Sequence, residues 1–176
     1  MLIDGFEDFI LVGRGGFSSV FRARQVGFDR EVAIKLLEID TDSDDVRQRF
    51  LNECELSGRL TGHPNIVTVL GSGFTTDTSQ PYILMEFAPG GSLAGVIASS
   101  GAMPVAEAIR ITVLLAGALD TAHRHGIVHR DVKPQNVVFQ RSGAPGLTDF
   151  GIAAVSAYTG TSVASQALTP LHAAPE

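Results

Sequence analysis

Tryptophan is absent from the chain, and cysteine occurs once, at Cys54. A lone cysteine excludes an internal disulfide framework and any multi-cysteine metal site. It fits a reducing, cytoplasmic setting. A basic excess is missing too: 13 Lys and Arg stand against 19 Asp and Glu, for a formal net charge of -6. That excludes the electrostatic footprint of a nucleic-acid-binding surface. No run of about 18 apolar residues is present, since the longest apolar stretch, residues 109–119, is broken by Arg110 and Thr112. The acidic opening, residues 1–8, lacks the basic-then-apolar order of a secretion signal. No membrane contact is therefore expected within this chain. Its 176 residues suffice for one domain with a real core rather than two sizeable ones.

Glycine is abundant, with 19 residues, and apolar residues make up 44%. Three short strand patterns open the chain at residues 9–12, 19–24 and 31–37. A glycine turn with Gly13, Gly15 and Gly16 joins the first two, and a loop containing Gly27 joins the second to the third. Val46, Phe50, Cys54, Ser57 and Leu60 then recur every three or four residues, which predicts one face of a helix. Asp42 or Ser43 can cap that helix, and the Gly62-His63-Pro64-Asn65 run ends it. Strands are predicted at 66–70 and 82–87, around a polar turn at 75–80. A short helix capped by Ser92 runs through Ile97, and a longer one runs over residues 105–125 between Pro104 and Gly126. Ser, Thr, Ala and Gly dominate residues 156–166, so mobility is expected there. The expected class is α+β, with a small sheet-rich lobe followed by a helical lobe.

Four segments carry chemistry. Residues 11–21, LVGRGGFSSVF, run strand, glycine turn, strand, and glycines there let backbone N–H groups approach phosphates. Read alone, a plain hairpin turn is the commoner meaning. In EVAIKLL, Val32, Ile34 and Leu36 face one way while Ala33, Lys35 and Leu37 face the other. A buried lysine needs an anion, and Glu53 on the inward helix face is a candidate; two unrelated surface charges are the alternative. IVHRDVKPQNVVF, residues 127–139, packs polar groups between apolar anchors. Asp131 can accept a hydroxyl proton, Lys133 can neutralise phosphoryl charge, and Asn136 offers oxygen to a hard cation. Asp149 in LTDFG adds a carboxylate suited to Mg²⁺.

Taken in order, these motifs resemble the eukaryotic-type serine/threonine protein kinases, with Ala174-Pro175-Glu176 resembling the closing motif of the activation segment. The resemblance covers about residues 9–176. It implies a two-lobed kinase fold, with a complete N-lobe over about 1–87 and a partial C-lobe over 88–176. It further implies ATP and Mg²⁺ as cofactors, with Mn²⁺ as an alternative. Catalytic roles fall to Asp131 as base, to Lys133, and to Lys35 oriented by Glu53. Metal ligands are Asn136 and Asp149. Nucleotide contacts are Val12 (or Leu11), Gly13, Gly15, Gly16, Val20, Ala33, Lys35, Met85 as gatekeeper, the backbone of Glu86 and Ala88, and Val138. Arg130 beside the catalytic Asp implies control by an activation-loop phosphate. Implied partners are a protein substrate with a Ser or Thr acceptor and a second copy for trans-autophosphorylation. Candidate phosphosites are Thr159, Thr161, Ser162, Ser165 and Thr169. Lys133 followed by Pro134 resembles the serine/threonine branch, and GRGGFSSVFRARQ, DREVAIK and GHPNIV resemble bacterial, especially actinobacterial, members. Many relatives carry a membrane helix beyond the kinase domain, so anchoring of a longer protein is left open.

The sequence departs from the family pattern in three places. Ser18 replaces the third loop glycine, and Leu168 and His172 stand where Gly and Tyr are usual. The family also has more large-lobe helices after the point reached by Glu176. Residues 1–176 in isolation are therefore expected to be unstable or poorly active. Two other readings remain: a non-catalytic kinase-like module that binds ATP, and a small-molecule phosphotransferase of related fold.

Overall fold

The computed structural model describes residues 3–39 and 43–150. Five strands build one antiparallel sheet: β1 (Phe6–Arg14), β2 (Ser18–Gln25), β3 (Arg30–Leu37), β4 (Val69–Phe74) and β5 (Pro81–Glu86), in the order β1-β2-β3-β5-β4. The predicted alternation along β3 holds. Val32 and Ile34 enter an outer cluster with Ile3, Ala23 and Leu84, while Ala33 and Leu37 enter an inner cluster with Phe50, Cys54, Val67, Ile83 and Met85. β3 is thus covered on both faces, and Lys35, on the inner one, is buried with it.

The predicted strand at 66–70 begins later than expected, at Val69. Ile66 and Val67 have another partner. The Val67 N–H donates to the Leu147 carbonyl at 2.9 Å, and the Leu147 N–H donates to the Asn65 carbonyl at 2.9 Å. The Asn65 side-chain amide also donates to the Pro145 carbonyl at 2.7 Å. These bonds fasten the segment between the first helix and β4 to the hairpin of β6 (Val137–Phe139) and β7 (Pro145–Leu147). Obligatory backbone hydrogen bonding here ties the two lobes together.

The first helix, α1 (Asp44–Gly58), starts after Ser43, with Asp44 and Asp45 in its first turn, where negative charge suits the helix dipole. It buries only Phe50 and Cys54 within its own length. Phe50 meets Phe74 of β4 edge-on at 5.6 Å, and the Arg47 guanidinium lies 3.9 Å over the same Phe74 ring. α2 (Leu93–Ser100) is capped as predicted, the Ser92 hydroxyl accepting from the Gly95 N–H at 3.1 Å, but it runs three residues past Ile97. α3 (Val105–Arg124) ends near the predicted place, with Gly126 at φ +73, a conformation glycine adopts without strain. Its inner face packs Ala118 and Ala122 with Leu60, Ile66, Ile127, Val137, Leu147 and Phe150. Its opposite face exposes Val105, Ile109 and Val113.

The link after β5 lies directly on β6. The Gly90 N–H donates to the Phe139 carbonyl at 3.0 Å, and the Phe139 N–H donates to the Gly91 carbonyl at 2.9 Å. A Cβ on Gly90 would sit 2.6 Å from the Phe139 Cβ, so only glycine permits this approach. No helix among the described residues is long and apolar enough to cross a membrane.

Candidate active site

The cleft between the lobes gathers most of the predicted base-binding residues. Ala33 and Met85 are members of the inner sheet cluster, and Val20 and Val138 pack against it. Val12 stands apart: it lies half-exposed on β1, where the register with β2 shifts between Leu11 and Gly13. Gly13 pairs with Val20 across the strands. The Gly15 N–H donates to the Ser18 carbonyl at 2.7 Å, which closes the turn, and Gly16 has open space around it. The Glu86 N–H is already spent on the Thr68 carbonyl at 3.0 Å. What Glu86 has left for a ligand is its carbonyl, whereas at Ala88 the carbonyl is engaged by the Gly91 N–H and the N–H is available.

Lys35 differs from the sequence expectation. Its ammonium pairs with the Asp149 carboxylate at 2.7 Å, with both side chains largely buried, and no ion pair joins it to Glu53. The reason is proximity in the folded core. A buried ammonium takes the anion within hydrogen-bonding reach, and the segment after β7 brings Asp149 there. Glu53, on α1, is half-buried, and burial pushes its carboxyl above the ordinary value of 4.5, with the Arg130 charge drawing it partly back. Cys54 beside it is inert: burial pushes its thiol up to about 11.

The loop between α3 and β6 draws its polar side chains together. Lys133 is extended, as suits a residue before proline, and Pro134–Asn136 form a single 3-10 turn. That turn brings the Asn136 amide onto Asp131, donating to its carbonyl at 2.8 Å and to its carboxylate at 3.0 Å. The Lys133 ammonium reaches the same carboxylate at 2.6 Å. His129, which the sequence placed in the motif without a role, is the support beneath. The Asp131 N–H donates to its Nδ1 at 3.2 Å, so the ring proton sits on Nε2, which donates to the Thr148 carbonyl at 2.8 Å. Burial holds its pKa below the ordinary 6.5, keeping the ring neutral. The Thr148 N–H donates to the Asn136 carbonyl at 2.9 Å, joining the loop to the Asp149 segment.

One group here bears on a divalent cation. Asp149 is at φ +72, a strained region for a non-glycine residue, and its Oδ1 is buried with no hydrogen-bond partner. An orphaned buried carboxylate oxygen fits a metal ligand. Among the described residues no cluster of three or more His, Cys, Asp and Glu could cage an ion. Gly151, the candidate phosphosites and the Ala174-Pro175-Glu176 motif lie outside the described residues. Sequence reasoning also left Asn65 and Ser57 without function. Asn65 gave no signal beyond a turn, and Ser57 showed only as a polar residue on an apolar helix face.

Comparison with known proteins agrees with this geometry. The protein kinase domain family matches residues 6–176. The serine/threonine-protein kinase PknK of Mycobacterium tuberculosis is 44% identical over the whole chain, which spans 16% of that protein. A probable serine/threonine-protein kinase PknB of Corynebacterium glutamicum is 39% identical over 98% of the chain and 28% of its own length. The PknI kinase domain of M. tuberculosis superposes with a TM-score of 0.73 at 33% identity, covering 86% of this chain and 60% of that one. Motif order, cleft geometry and these likenesses converge: the chain belongs to the eukaryotic-type serine/threonine protein kinase domains, in their actinobacterial branch.

Proposed function

We propose that this chain carries the ATP site and catalytic loop of an enzyme that transfers the γ-phosphoryl of ATP to Ser or Thr hydroxyls of proteins. The observation that supports this most is the convergence of Lys133 and Asn136 on the Asp131 carboxylate, joined through the Thr148–Asn136 backbone bond to the segment presenting Asp149. Asp131, steadied by the Asn136 amide, orients the acceptor hydroxyl and takes its proton. Lys133, already at the Asp131 carboxylate, neutralises charge on the transferring group. Val20, Ala33, Met85 and Val138 enclose the adenine, whose edge meets the Glu86 carbonyl and the Ala88 N–H. The backbone of Gly13, Gly15 and Gly16 covers the phosphates.

Asn136 and Asp149 are the residues that would hold Mg²⁺, or Mn²⁺, which when bound neutralises and orients the phosphates. Lys35 serves the α- and β-phosphates. Its ammonium pairs with Asp149 at 2.7 Å, and in serving the phosphates it exchanges that carboxylate for Glu53. The proposed partners are a protein substrate and a second copy of the kinase for trans-autophosphorylation.

Asp131→Asn in the full-length protein tests this reading. Transfer of labelled phosphate from ATP to a Ser/Thr-containing protein should fall by about 10²–10⁴-fold, the usual yield of a positioned base, with nucleotide affinity unchanged. Equal transfer by the variant would refute the role of Asp131. Transfer to amino-sugar compounds in preference to proteins would favour the small-molecule phosphotransferase.

A further inference from the structure

Glu31 stands where the sheet meets the link to the second lobe. Val32 of β3 pairs with Glu86, the last residue of β5, so Glu31 lies at the end of the sheet where the chain leaves it as Phe87. The Glu31 carboxylate takes a guanidinium on each oxygen. Arg22 of β2 reaches one at 3.2 Å. Arg141, from the turn between β6 and β7, reaches the other at 3.3 Å. Arg22 shares a lobe with Glu31 and is its diagonal neighbour across the strands, Arg24 being the residue directly opposite. The Arg22 guanidinium also lies 6.0 Å from the centre of the Phe87 ring, within range of a cation–π contact. Arg141 belongs to the other lobe.

The turn that carries Arg141 is itself fixed. The Gly143 N–H donates to the Gln140 carbonyl at 2.8 Å, and the Gln140 N–H donates to the Ala144 carbonyl at 3.0 Å. The Gln140 side-chain amide donates to the Pro64 carbonyl at 2.7 Å. Each end of the Glu31–Arg141 pair thus continues an element of the cleft. Glu31 is two residues before Ala33 on β3, and Arg141 is three residues after Val138 of β6. The bonds of Asn65, Val67 and Leu147 that also join the lobes are between neutral groups. The Glu31 pair is charged and its side chains reach solvent, so salt weakens it and spares the others.

We infer that Glu31 is a positioning residue for the nucleotide cleft: by holding Arg141 while Arg22 braces it beside Phe87, it limits how far the strand on one side of the adenine and the hairpin on the other can part. It rests on the proposed adenine site between Ala33 and Val138. Release of a nucleotide enclosed between two lobes needs them to part, so the bridge slows release. Breaking it leaves the residues that enclose the nucleotide in place and shortens the time the nucleotide stays.

The test uses the full-length protein loaded with a fluorescent ATP analogue and Mg²⁺, then chased with unlabelled ATP in stopped flow at about 20 mM and about 500 mM salt. Glu31→Gln and Arg141→Ala should each speed release about threefold at low salt, the scale of an exposed ion pair. Arg141→Lys, which keeps the charge, should stay closer to wild type than Arg141→Ala. At high salt the wild-type rate should rise to meet the variants. The double variant Glu31→Gln with Arg141→Ala should release no faster than Glu31→Gln alone, because both changes remove one interaction. Wild-type release by the single variants at low salt overturns the inference. So does a difference that persists at high salt, which marks a merely structural role, or a double variant whose effects add. The chase separates this inference from the reading beneath it. If unlabelled ATP fails to displace the analogue, the proposed ATP site falls and the inference with it; if ATP displaces it and the variants release it at the wild-type rate, only the role of Glu31 falls.

Discussion

The two halves of the site are built differently by the chain. The catalytic-loop half, Asp131, Lys133 and Asn136, is contiguous in sequence, and one proline-led turn brings its groups together. The other half depends on three separate segments meeting: β3 with Lys35, α1 with Glu53 and the residues after β7 with Asp149. There Lys35 took Asp149 and left Glu53 without it. Local chain geometry fixes a loop; only the packing of a helix fixes a pair that spans the core. α1 is seated on β4 through Phe50 and Phe74 and bonded through Ser57 to the Phe150 carbonyl.

The comparison can be broken most forcefully at Phe50, which is fully buried. Phe50→Ala should cost about 3–5 kcal/mol in chemical denaturation, the usual loss for a buried aromatic. It should weaken Mg-dependent nucleotide binding through α1 while the catalytic loop keeps its fold. A loss under about 1 kcal/mol, below the range for such a truncation, would mean that α1 is seated by something else.

A smaller effect should come from His129 on the loop side. Its folded pKa lies below the ordinary 6.5, so the unfolded chain binds the extra proton first. The stability it contributes is present above pH 6.5 and is lost as pH falls from there through the lower folded value. Denaturation midpoints measured between about pH 7.5 and about pH 5.5 should therefore decline toward acid, and less so in a His129→Asn variant. A flat profile in both proteins would contradict the neutral, buried ring.

The smallest change in stability should come from Glu53→Gln. Burial raises its carboxyl pKa, so the charged form opposes folding at neutral pH. The substitution should leave the melting temperature unchanged or slightly higher while lowering phosphoryl transfer. A large loss of stability would mean that Glu53 already holds an ion pair.

Much of the lobe architecture was legible beforehand for a physical reason. The alternation of Val32, Ile34 and Leu36 with Ala33, Lys35 and Leu37 writes both faces of a buried strand into the sequence, and the periodic apolar positions of α1 do the same for a helix. Ile66 and Val67 misled because apolar β-branched residues look like strand wherever their hydrogen bonds go, and theirs go to Leu147. The register shift between Leu11 and Gly13, beside Val12, has no sequence signature. The choice of Lys35 between Asp149 and Glu53 was invisible, because both carboxylates fit the charge requirement and only distance separates them. Ser57 was visible as an exception on an apolar face, without any sign that a carbonyl far along the chain would answer it.

The most direct test of the account is a structure of the full-length protein with a non-hydrolysable ATP analogue and Mg²⁺. The account predicts that the Lys35 ammonium leaves Asp149, that Glu53 comes within about 4 Å of it as an ion pair, and that Asp149 and Asn136 both ligate the metal. A complex in which Lys35 keeps its contact with Asp149 while Mg²⁺ and nucleotide are bound elsewhere would contradict it.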